Sequence, residues 1–440
     1  MPDNAKSMAT AEKRLNIIVV GGGIGGLSAA LCLASSGHQI TVLESVPIFN
    51  EVEVGAGVRL TPNCARILIR WGFGDELREL GLQPAVVQLF RYNGEVLVDK
   101  SLAGAGYVQP WYDIHRGDLH QMLFRAVSSL PNVTLRPDSE VISCTIAEDN
   151  RKTIVTLKNG EVLSGELVVG ADGVRSIVRR SVLDIPDHPR KTGEAVYRAV
   201  IPTSLLDGHP ELQDLVDTPG LRSWLGPGRH VVAYPIRGKS LMNIAMFVPD
   251  DNAVESWKSE GDLDQIRTEF QHWEPRVRQL LDFTPKVLRW ALKIRGPLTT
   301  WHRGGVVLLG DACHPMLPYR AQGAAMAIED AAVLGLLLAK HSDEHSLEFL
   351  LNAYEELRIP RTSAVQRDSG ANAEVFHLPD GPAQQARDEG WKSAGQAGGA
   401  HGSGSQVILQ PAIPDKDLYG YDPYDEVERW WHKNSTFKKL

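Results

Sequence analysis

The sequence has few cysteines and no excess of positive charge. Its 440 residues include 4 cysteines, which are far apart and lack CxxC or Cys/His spacing, and this argues against a disulfide scaffold and a structural zinc. We interpret Cys32, Cys64, Cys144 and Cys313 as buried or incidental thiols of a reducing compartment, and we predict a cytoplasmic protein. With 46 Lys+Arg against 54 Asp+Glu and a net charge of -8, the chain has no long-range attraction for nucleic acid or anionic lipid. A small-molecule partner is therefore favoured.

The sequence also lacks a convincing membrane span. The apolar segment 15–37 follows Lys13 and Arg14 and has the outline of a signal peptide or a spanning helix. However, five of the six residues 21–26 are glycine, and each glycine weakens a helix by about 1 kcal/mol relative to alanine. We predict no membrane span, and a flexible leader at 1–14. A Ser/His/Asp arrangement, an HExxH motif and a Walker A sequence are also missing, which argues against hydrolase, zinc protease and nucleotide triphosphatase functions.

The N-terminal segment instead contains a strand, a glycine turn, a helix and a second strand. The β-branched run NIIVV at 16–20 is typical of a buried parallel strand, and QITVLE, which ends at Glu44, is typical of another. Between them, Gly21, Gly23 and Gly26 occupy the three positions of GxGxxG, which serve the turn, the backbone approach to a diphosphate and helix packing. Glu44, at the end of the second strand, is placed to accept hydrogen bonds from the ribose hydroxyls of the dinucleotide. We predict a dinucleotide-binding unit, and the alternative is a glycine-rich turn without a ligand.

Two later segments repeat this pattern. In LVVGADGVRS, a buried run leads to Gly170, Asp172 and Gly173, and in GGVVLLGDACHPM a similar run leads to Asp311, ahead of an apolar helix predicted at 322–341. Because each segment combines a short buried strand with a glycine turn, we expect both to join one sheet with the first unit.

Together the three motifs resemble those of the single-component FAD-dependent aromatic hydroxylases, a family that includes salicylate hydroxylase and the dearomatising hydroxylases of fungal polyketide pathways. The resemblance runs from about Leu15 to about Gly370. It implies an α/β fold, in which a Rossmann-type FAD-binding domain carries an inserted antiparallel β-sheet substrate domain. The implied enzyme uses FAD, NADPH or NADH, and O2 to hydroxylate a phenolic or electron-rich aromatic molecule through a flavin C4a-hydroperoxide. Decarboxylation or dearomatisation can accompany the hydroxylation.

The middle of the chain differs from the motifs on either side of it. From about residue 193 to 290, strand-like runs alternate with Gly/Pro turns, which predicts an antiparallel sheet inserted into the first domain. We divide the chain into a leader (1–14), an FAD-binding domain in two parts (15–190 and 291–375), a substrate domain (191–290) and a C-terminal extension (376–440). Within the extension, GQAGGAHGSGS predicts a low-complexity linker over 381–405. The aromatic tail after it is expected to dock on the body.

The resemblance also assigns residues near the flavin. Asp311 is expected to hydrogen-bond the ribityl chain, and the backbone at Gly323 and Ala324 is expected to face the pyrimidine ring. A physical argument agrees, since a helix that begins near Gln322 directs unpaired N–H groups and a positive dipole end at the ring.

Further cofactor residues rest on the same resemblance. Arg116 matches the family arginine that reaches the FAD, and the alternative is an exposed arginine at a helix start. Gly57 and Val58 are expected to lie against the cofactor, with Arg59 as an additional candidate; a plain loop before a helix is the alternative. The sequence holds a single dinucleotide fingerprint, and the resemblance implies that nicotinamide binds transiently in a groove, with Asp172 and Gly173 implicated in binding both FAD and NAD(P)H.

Recognition of a phenolate needs a cation or a strong donor in the inserted sheet. Arg198 and Tyr234 resemble the Arg and Tyr pair of the dearomatising hydroxylases, so we predict that Arg198 fixes the phenolate and that Tyr234 donates a hydrogen bond to it or to a neighbouring carbonyl. Side chains alternate between the two faces of a strand, so either residue can instead point away from the flavin. For Tyr234, the alternative is a core tyrosine with a satisfied hydroxyl.

Five other residues are weaker candidates for the site. His230, Met242 and Trp224 are candidates for the cavity wall, but we favour ordinary packing for them. His314 is a candidate base or flavin attachment point, and for it and Cys313 we favour packing near the flavin.

Two other functions remain open at this level. A flavin oxidase or dehydrogenase without oxygen insertion shares the FAD motifs, and a flavin-binding regulatory protein without turnover is the rival of another class. The choice between NADH and NADPH, between monomer and homodimer, and between catabolism and secondary metabolism is likewise open.

Overall fold

The computed structural model describes residues 10–47, 56–102, 109–147, 152–183, 189–250, 260–396 and 411–435. Residues 1–9 of the predicted leader and 397–405 of the predicted linker fall outside these ranges.

The strands are numbered in chain order as β1 (Asn16–Val20), β2 (Gln39–Leu43), β3 (Gly57–Leu60), β4 (Val86–Arg91), β5 (Val96–Ser101), β6 (Tyr112–His115), β7 (Val133–Arg136), β8 (Val141–Ile146), β9 (Thr153–Leu157), β10 (Val162–Gly165), β11 (Leu167–Gly170), β12 (Arg190–Pro202), β13 (Gly220–Gly226), β14 (Arg229–Ile236), β15 (Leu241–Pro249), β16 (Leu288–Ile294), β17 (His302–Arg303) and β18 (Val306–Leu308).

The α-helices are α1 (Ile24–Ser35), α2 (Pro62–Leu68), α3 (Gly74–Leu80), α4 (Arg116–Ser128), α5 (Arg179–Val182), α6 (Pro210–Asp217), α7 (Leu263–Glu269), α8 (Pro275–Asp282), α9 (Gly323–Leu338), α10 (Leu347–Phe376), α11 (Pro382–Gln396), α12 (Asp415–Tyr419) and α13 (Pro423–Asn434). A π-helical turn (Ile69–Phe73) joins α2 to α3, and short 3-10 turns occupy Thr203–Leu206, Gly310–Ala312 and Pro318–Arg320.

A six-stranded sheet brings the three glycine motifs together. Its order is β17-β18-β11-β1-β2-β7, and every pairing is parallel except that between β17 and β18. Strand β1 is buried except at Asn16, because helices cover a parallel sheet on both faces. The carboxyl ends of β18, β11 and β1 are therefore neighbours, which is where open α/β sheets bind ligands.

Helix α9 packs closely against α1. A β-carbon on Gly335 would lie 2.6 Å from Cβ of Cys32, so the absence of a side chain lets the two helices approach. The helix predicted at 322–341 is observed over Gly323–Leu338, and α1 follows the glycine turn as expected.

A seven-stranded sheet forms the second layer, in the order β16-β12-β15-β14-β13-β4-β5. Its pairings are antiparallel apart from β13 with β4. Strands β4 and β5 come from residues 86–101, ahead of the predicted substrate domain, and were not predicted from the sequence. Helices α6, α7 and α8 cover one face, where Trp224 and Met242 are fully buried. Packing is therefore confirmed for these two residues.

The predicted linker over 381–405 is wrong for its first part, because α11 occupies Pro382–Gln396. Trp391 of α11 is buried with Leu97 and Leu225, and this apolar anchor stabilises a helix that its polar composition does not suggest. Downstream, α12 and α13 pack on the body, as expected for the aromatic tail. Among the described residues, no helix has both the length and the apolar character that crossing a bilayer requires.

Candidate active site

A cavity of about 550 Å³ lies between the carboxyl edge of the six-stranded sheet and the uncovered face of the seven-stranded sheet. Both layers contribute to its wall. Of the residues named in the sequence analysis, those that line it are Gly23, Gly57, Val58, Arg59, Arg116, Gly173, Arg198, His230, Tyr234, Asp311, Gly323 and Ala324.

The three glycines of the first motif have separate steric reasons. Gly21 has a φ of +105°, and a β-carbon there would lie 2.4 Å from the carbonyl oxygen of Ala171. A β-carbon on Gly26 would lie 1.9 Å from the carbonyl oxygen of Gly21. At Gly23, in contrast, a β-carbon would meet no atom within 4 Å. Gly21 and Gly26 are thus required by the turn itself, whereas Gly23 keeps open a space at the start of α1.

Glu44 holds the glycine turn in place. Its Oε2 accepts a hydrogen bond from the N–H of Gly22 at 2.7 Å, and Oε1 accepts one from the N–H of Val46 at 3.0 Å. On the other side, Nε2 of His120 lies 2.7 Å from the carbonyl oxygen of Gly22. Burial lowers the pKa of His120, so a neutral imidazole donates this bond. Side chains therefore hold both the N–H and the carbonyl group of Gly22, and this fixes the turn.

A second glycine-bearing edge of the cavity lies at the start of α9. The side chain of the N-cap residue, Gln322, makes no capping hydrogen bond, and a β-carbon on Gly323 would meet nothing within 4 Å. The first N–H groups of a helix lack intrahelical partners and give that end a partial positive charge. The beginning of α9 therefore presents hydrogen-bond donors to the cavity.

Asp311 and Arg116 supply opposite charges to this edge. The side chain of Asp311 faces the open space of the cavity. The protein atoms around the cavity remove water from this carboxyl, and this desolvation raises its pKa, while the charges of His314 and Arg116 oppose the rise. Burial in turn lowers the pKa of Arg116, and Asp311 opposes the change. The pair is suited to hydroxyl and phosphate oxygens of a ligand.

Asp172 does not line the cavity, although its neighbours Ala171 and Gly173 do. Its Oδ2 accepts hydrogen bonds from the N–H groups of Ile177 at 2.7 Å and Val178 at 3.1 Å. Burial raises the pKa of Asp172. The side chain therefore holds the turn after β11.

Gly57 owes its lack of a side chain to Tyr234. A β-carbon on Gly57 would lie 2.5 Å from Cε2 of Tyr234, and the N–H of Gly57 donates to Oδ1 of Asn243 at 2.7 Å. The backbone of β3 is thus pressed against the tyrosine of the opposite sheet.

Arg198 points into the cavity rather than into the helix-covered core. Its neighbours on β12, Tyr197 and Ala199, belong to that core, and alternation directs Arg198 to the other face. Its guanidinium lies 4.4 Å from the ring centre of Trp290, and its buried Nε has no hydrogen-bond partner among the described residues. Burial lowers the pKa of Arg198 to about 10, with Tyr234 opposing this change, so the group stays cationic at neutral pH.

Tyr234 lines the same face from β14. It is 8% exposed, and the guanidinium of Arg59 lies 5.6 Å from its ring centre. Arg59 in turn donates two hydrogen bonds of 2.8 Å to the carboxylate of Asp113. Burial raises the pKa of Tyr234, and Asp113 adds to the effect, while Arg198 and Arg59 oppose it. The hydroxyl stays protonated at neutral pH and is available as a donor.

His230 also lines the cavity, although the sequence analysis favours ordinary packing for it. It stands four residues before Tyr234 on β14, and this even spacing puts both on one face of the strand. The ring stacks on Phe247 at 4.1 Å, and its Nδ1 lies 2.8 Å from Nε2 of His377. The spacing of four residues is the signal that sequence reasoning left unused.

His314 is buried away from the cavity. Its Nε2 lies 2.5 Å from Oδ2 of Asp330, which also accepts a hydrogen bond from the N–H of Gly310 at 3.0 Å. The other oxygen of Asp330 accepts from Nε of Arg358 at 2.7 Å. Although Cys313, His314 and Asp330 are close enough to hold a metal ion, Arg358 already balances this carboxylate. The cluster fixes the loop that carries Asp311.

The C-terminal extension completes the cavity. Tyr419 of α12 lines it beside Trp111, with ring centres 4.8 Å apart. Arg320, also in the wall, donates to Asp368 at 2.6 Å and to Asp415 at 2.8 Å. The buried pair of Arg320 and Asp415 attaches the extension to the body of the protein.

The model of the family described as "FAD binding domain" matches residues 14–369. The chain belongs to this family. Among its curated relatives, an FAD-dependent monooxygenase of Beauveria bassiana is 35% identical over 94% of this chain and 97% of that protein. The 3-hydroxybenzoate 6-hydroxylase of Klebsiella oxytoca is 33% identical over 88% of this chain and 94% of that protein.

Solved structures agree with the fold. A substrate complex of salicylate hydroxylase superposes with a TM-score of 0.75 at 23% identity, and covers 95% of this chain and 98% of its own. The predicted fold class, the FAD cofactor and the family of FAD-dependent monooxygenases are confirmed. The rival activity without oxygen insertion is disfavoured, because the relatives of this FAD binding domain protein are monooxygenases.

Proposed function

We propose that this FAD-dependent monooxygenase hydroxylates a phenolic or other electron-rich aromatic molecule, with NADPH or NADH as the electron source. The observation that carries the proposal is the guanidinium of Arg198, which faces the cavity beside the hydroxyl-bearing ring of Tyr234 and whose buried Nε has no hydrogen-bond partner among the described residues. A buried charged group with an unsatisfied donor is costly, and an anionic oxygen in the cavity would satisfy that donor. A phenolate supplies that oxygen on an aromatic ring.

The residues around the cavity fit FAD. The open space at Gly23 and the start of α1 suit a diphosphate, because unpaired N–H groups at a helix start favour negative charge. Asp311 and Arg116 suit the ribityl and phosphate oxygens, and the start of α9 at Gly323 suits the pyrimidine edge of the ring. When bound and reduced, FAD supplies the activated oxygen that is inserted into the substrate.

Glu44 and Asp172 would serve the cofactor less directly. Glu44 already accepts hydrogen bonds from the turn and would add a ribose hydroxyl to them. Asp172 would hold the loop whose neighbours Ala171 and Gly173 face the cavity. In this division, residues 15–190 and 291–375 hold FAD, and 191–290 carries the substrate face together with β4 and β5.

Arg198 and Tyr234 would recognise the phenolate together. A hydrogen bond to a charged group contributes about 1.5–3 kcal/mol, and a phenolate held between a guanidinium and a protonated tyrosine accepts bonds of this kind. The negative charge activates the ring carbon that is hydroxylated. The mostly apolar wall excludes water from the reacting atoms.

His230 would accept the phenolic proton. Its Nε2 has no hydrogen-bond partner among the described residues, while Nδ1 is engaged by His377. Burial lowers the pKa of His230 well below its ordinary value, so the imidazole is neutral at physiological pH and able to accept a proton. This role adds His230 to the residues assigned to the site.

The size of the cavity limits the size of the substrate. A cavity of about 550 Å³ must hold the flavin ring and the substrate together, which favours a small aromatic molecule such as the hydroxybenzoate of the Klebsiella relative.

The four cysteines are buried free thiols, which supports a cytoplasmic location. Size-exclusion chromatography would separate monomer from homodimer.

The test begins with the absorption spectrum of the purified protein. Anaerobic reduction by NADH and NADPH is then followed across a panel of phenols that includes salicylate and 3-hydroxybenzoate. We expect a flavin spectrum that one phenol bleaches much faster than the others, and incorporation of oxygen-18 into the product from labelled O2. Reduction that is indifferent to every aromatic, or a product without label, would refute the proposal.

A further inference from the structure

A chain of polar side chains leads from His230 away from the cavity. Nδ1 of His230 lies 2.8 Å from Nε2 of His377, and Nδ1 of His377 lies 2.7 Å from Oε1 of Glu194. The hydroxyl of Tyr319 donates to Oε2 of the same carboxylate at 2.8 Å. The exposed fraction rises from 2% at His230 to 18% for the side chain of Glu194. The chain therefore connects the cavity wall with a partly exposed carboxylate.

When both imidazole rings are neutral, matching donors with acceptors defines one set of proton positions in this chain. A carboxylate only accepts, so Nδ1 of His377 carries a proton and its Nε2, in the neutral ring, accepts. Nδ1 of His230 must then donate to His377, which leaves Nε2 of His230 without a proton. Glu194 thus sets the tautomer of a ring two links away. Nε2 of His230 becomes the acceptor at the cavity.

We propose that His377 and Glu194 form a proton relay that serves His230. The proposal rests on the proposed function, in which His230 accepts the phenolic proton. The phenolic proton moves to Nε2 of His230, the Nδ1 proton of His230 moves to Nε2 of His377, and the Nδ1 proton of His377 moves to Oε1 of Glu194. One proton is transferred in all, the phenol becomes a phenolate, Glu194 becomes a neutral acid, and no electron changes hands.

The partly exposed carboxyl of Glu194 then exchanges its proton with water. The same path in reverse delivers a proton to the hydroxylated product, and this reverse transfer restores the starting tautomers of His230 and His377. The relay therefore returns to its first state once per turnover.

The surroundings of His230 explain why a relay is required. The titratable groups that face it are His377 and Tyr319, and its other ring neighbours, Phe247 and Phe376, are apolar. Burial lowers the pKa of His230, and the neighbouring His377 lowers it further. A positive charge resting on His230 is therefore unfavourable. Passing the proton on to Glu194 removes that charge.

His377 and Glu194 do not touch the cavity and are positioning residues. His377 is the C-cap of α10, after the end of the family match at residue 369, and Glu194 belongs to β12. Two separate elements therefore converge on His230.

The first test needs no substrate. Nitrogen-15 NMR of histidine-labelled holoenzyme, with the signals of His230 assigned by their loss in His230→Gln, reports the tautomer directly. We expect the Nδ1–H form for His230 in the wild type and a mixture of tautomers in His377→Phe, which keeps an aromatic ring but breaks the chain. An Nε2–H form in the wild type would overturn the proposal, whatever the substrate is.

The second test separates proton transfer from structure. Glu194→Gln keeps an acceptor oxygen for His377 but takes up no proton, whereas Glu194→Asp keeps the acid. Stopped-flow absorbance records phenolate formation on mixing oxidised holoenzyme with 3-hydroxybenzoate or salicylate. We expect Glu194→Gln to slow it about tenfold or more and Glu194→Asp to recover most of the rate. Lys191→Gln, at an exposed position on the same strand, is the matched control and is expected to change the rate little.

Equal rates in Glu194→Gln and the wild type would overturn the relay. If neither phenol forms a phenolate in the wild type while the NMR shows the expected tautomer, the proposed substrate class fails and the assignment of the proton chain stands. The two failures are therefore distinguishable.

Discussion

Gly57 and Tyr234 belong to different layers, yet a β-carbon on Gly57 would lie 2.5 Å from Cε2 of the tyrosine and 2.7 Å from its hydroxyl. The backbone of β3 therefore defines the position of the phenol ring of Tyr234. A single methyl group at residue 57 would move that ring within the cavity.

We expect Gly57→Ala to fold and to retain FAD, but to lose about tenfold or more in phenol-stimulated turnover, because a misplaced donor weakens the transition state. Flavin content and steady-state rates measure the two effects. Gly390→Ala is the matched control, since a β-carbon there meets nothing within 4 Å. A Gly57→Ala enzyme with wild-type turnover would show that the position of Tyr234 is unimportant.

Replacement of Arg198 tests phenolate recognition. Arg198→Ala is expected to lower substrate-stimulated turnover about a hundredfold, or about 3 kcal/mol, with FAD retained, because the lost cation faces the developing charge. The turnover of Arg198→Lys should lie between those of the wild type and Arg198→Ala, since lysine keeps the charge but lacks the planar donors. The exposed Arg190 on the same strand supplies the control, Arg190→Ala. Unchanged turnover would remove Arg198 from the substrate site.

The first glycine motif allows folding to be separated from cofactor binding. Gly23→Ala places its methyl group in open space beside the cavity, so we expect a normally folded protein that binds FAD about tenfold or more weakly. Gly26→Ala directs its methyl group to within 1.9 Å of a backbone oxygen, so we expect it to destabilise the fold itself. Thermal unfolding of the apoproteins and flavin titration distinguish these outcomes. Wild-type FAD affinity in Gly23→Ala would contradict the diphosphate assignment.

His38 makes stability depend on pH. The residue is fully buried, its Nδ1 accepts from the N–H of Leu15 at 3.2 Å, and its Nε2 lies 3.2 Å from the carbonyl oxygen of Leu338. Burial lowers its pKa from 6.5 to about 4. The unfolded chain therefore takes up a proton near pH 6.5, before the folded protein does, so the stabilisation is complete above pH 6.5 and is lost as the pH falls towards 4.

Urea unfolding across this pH range should show the effect. We expect the free energy of unfolding to fall by up to about 3 kcal/mol more in the wild type than in His38→Gln, which keeps a donor and an acceptor but does not titrate. The exposed His272 supplies the control variant His272→Gln. Parallel pH profiles in wild type and His38→Gln would refute the role of His38.

The sequence predicts the cofactor half of this protein well, because its signals are local. Short β-branched runs followed by glycine identify β1, β11 and β18, and burial on both faces requires them to share a sheet. The substrate half depends on long-range pairing. Strand β4 pairs in parallel with β13, so that Val86 lies beside Gly220. No local sequence pattern predicts a pairing between strands so far apart in the chain.

Within the site, the direction of the side chains is likewise not determined by the local sequence. The sequence identifies Arg198 and Tyr234 but leaves their direction open, because strand alternation alone permits either face. The packing of α6, α7 and α8 on one face decides it, since Met242 and Trp224 fill that core. The partner of Gly57 and the chain from His230 to Glu194 arise only once separate elements meet.

The strand order of the six-stranded sheet also determines when the protein can fold during synthesis. Strand β1 pairs with β11, where Ile17 meets Leu167, and β11 pairs with β18, where Val168 meets Val306. Contacts between such distant segments form slowly, and the early strands emerge from the ribosome long before their partners exist. Because Tyr419 belongs to the cavity wall, the wall is complete only after residue 419 has been synthesised. Cofactor capture is thus a late step, and the nascent chain must keep its apolar strands from aggregating until then.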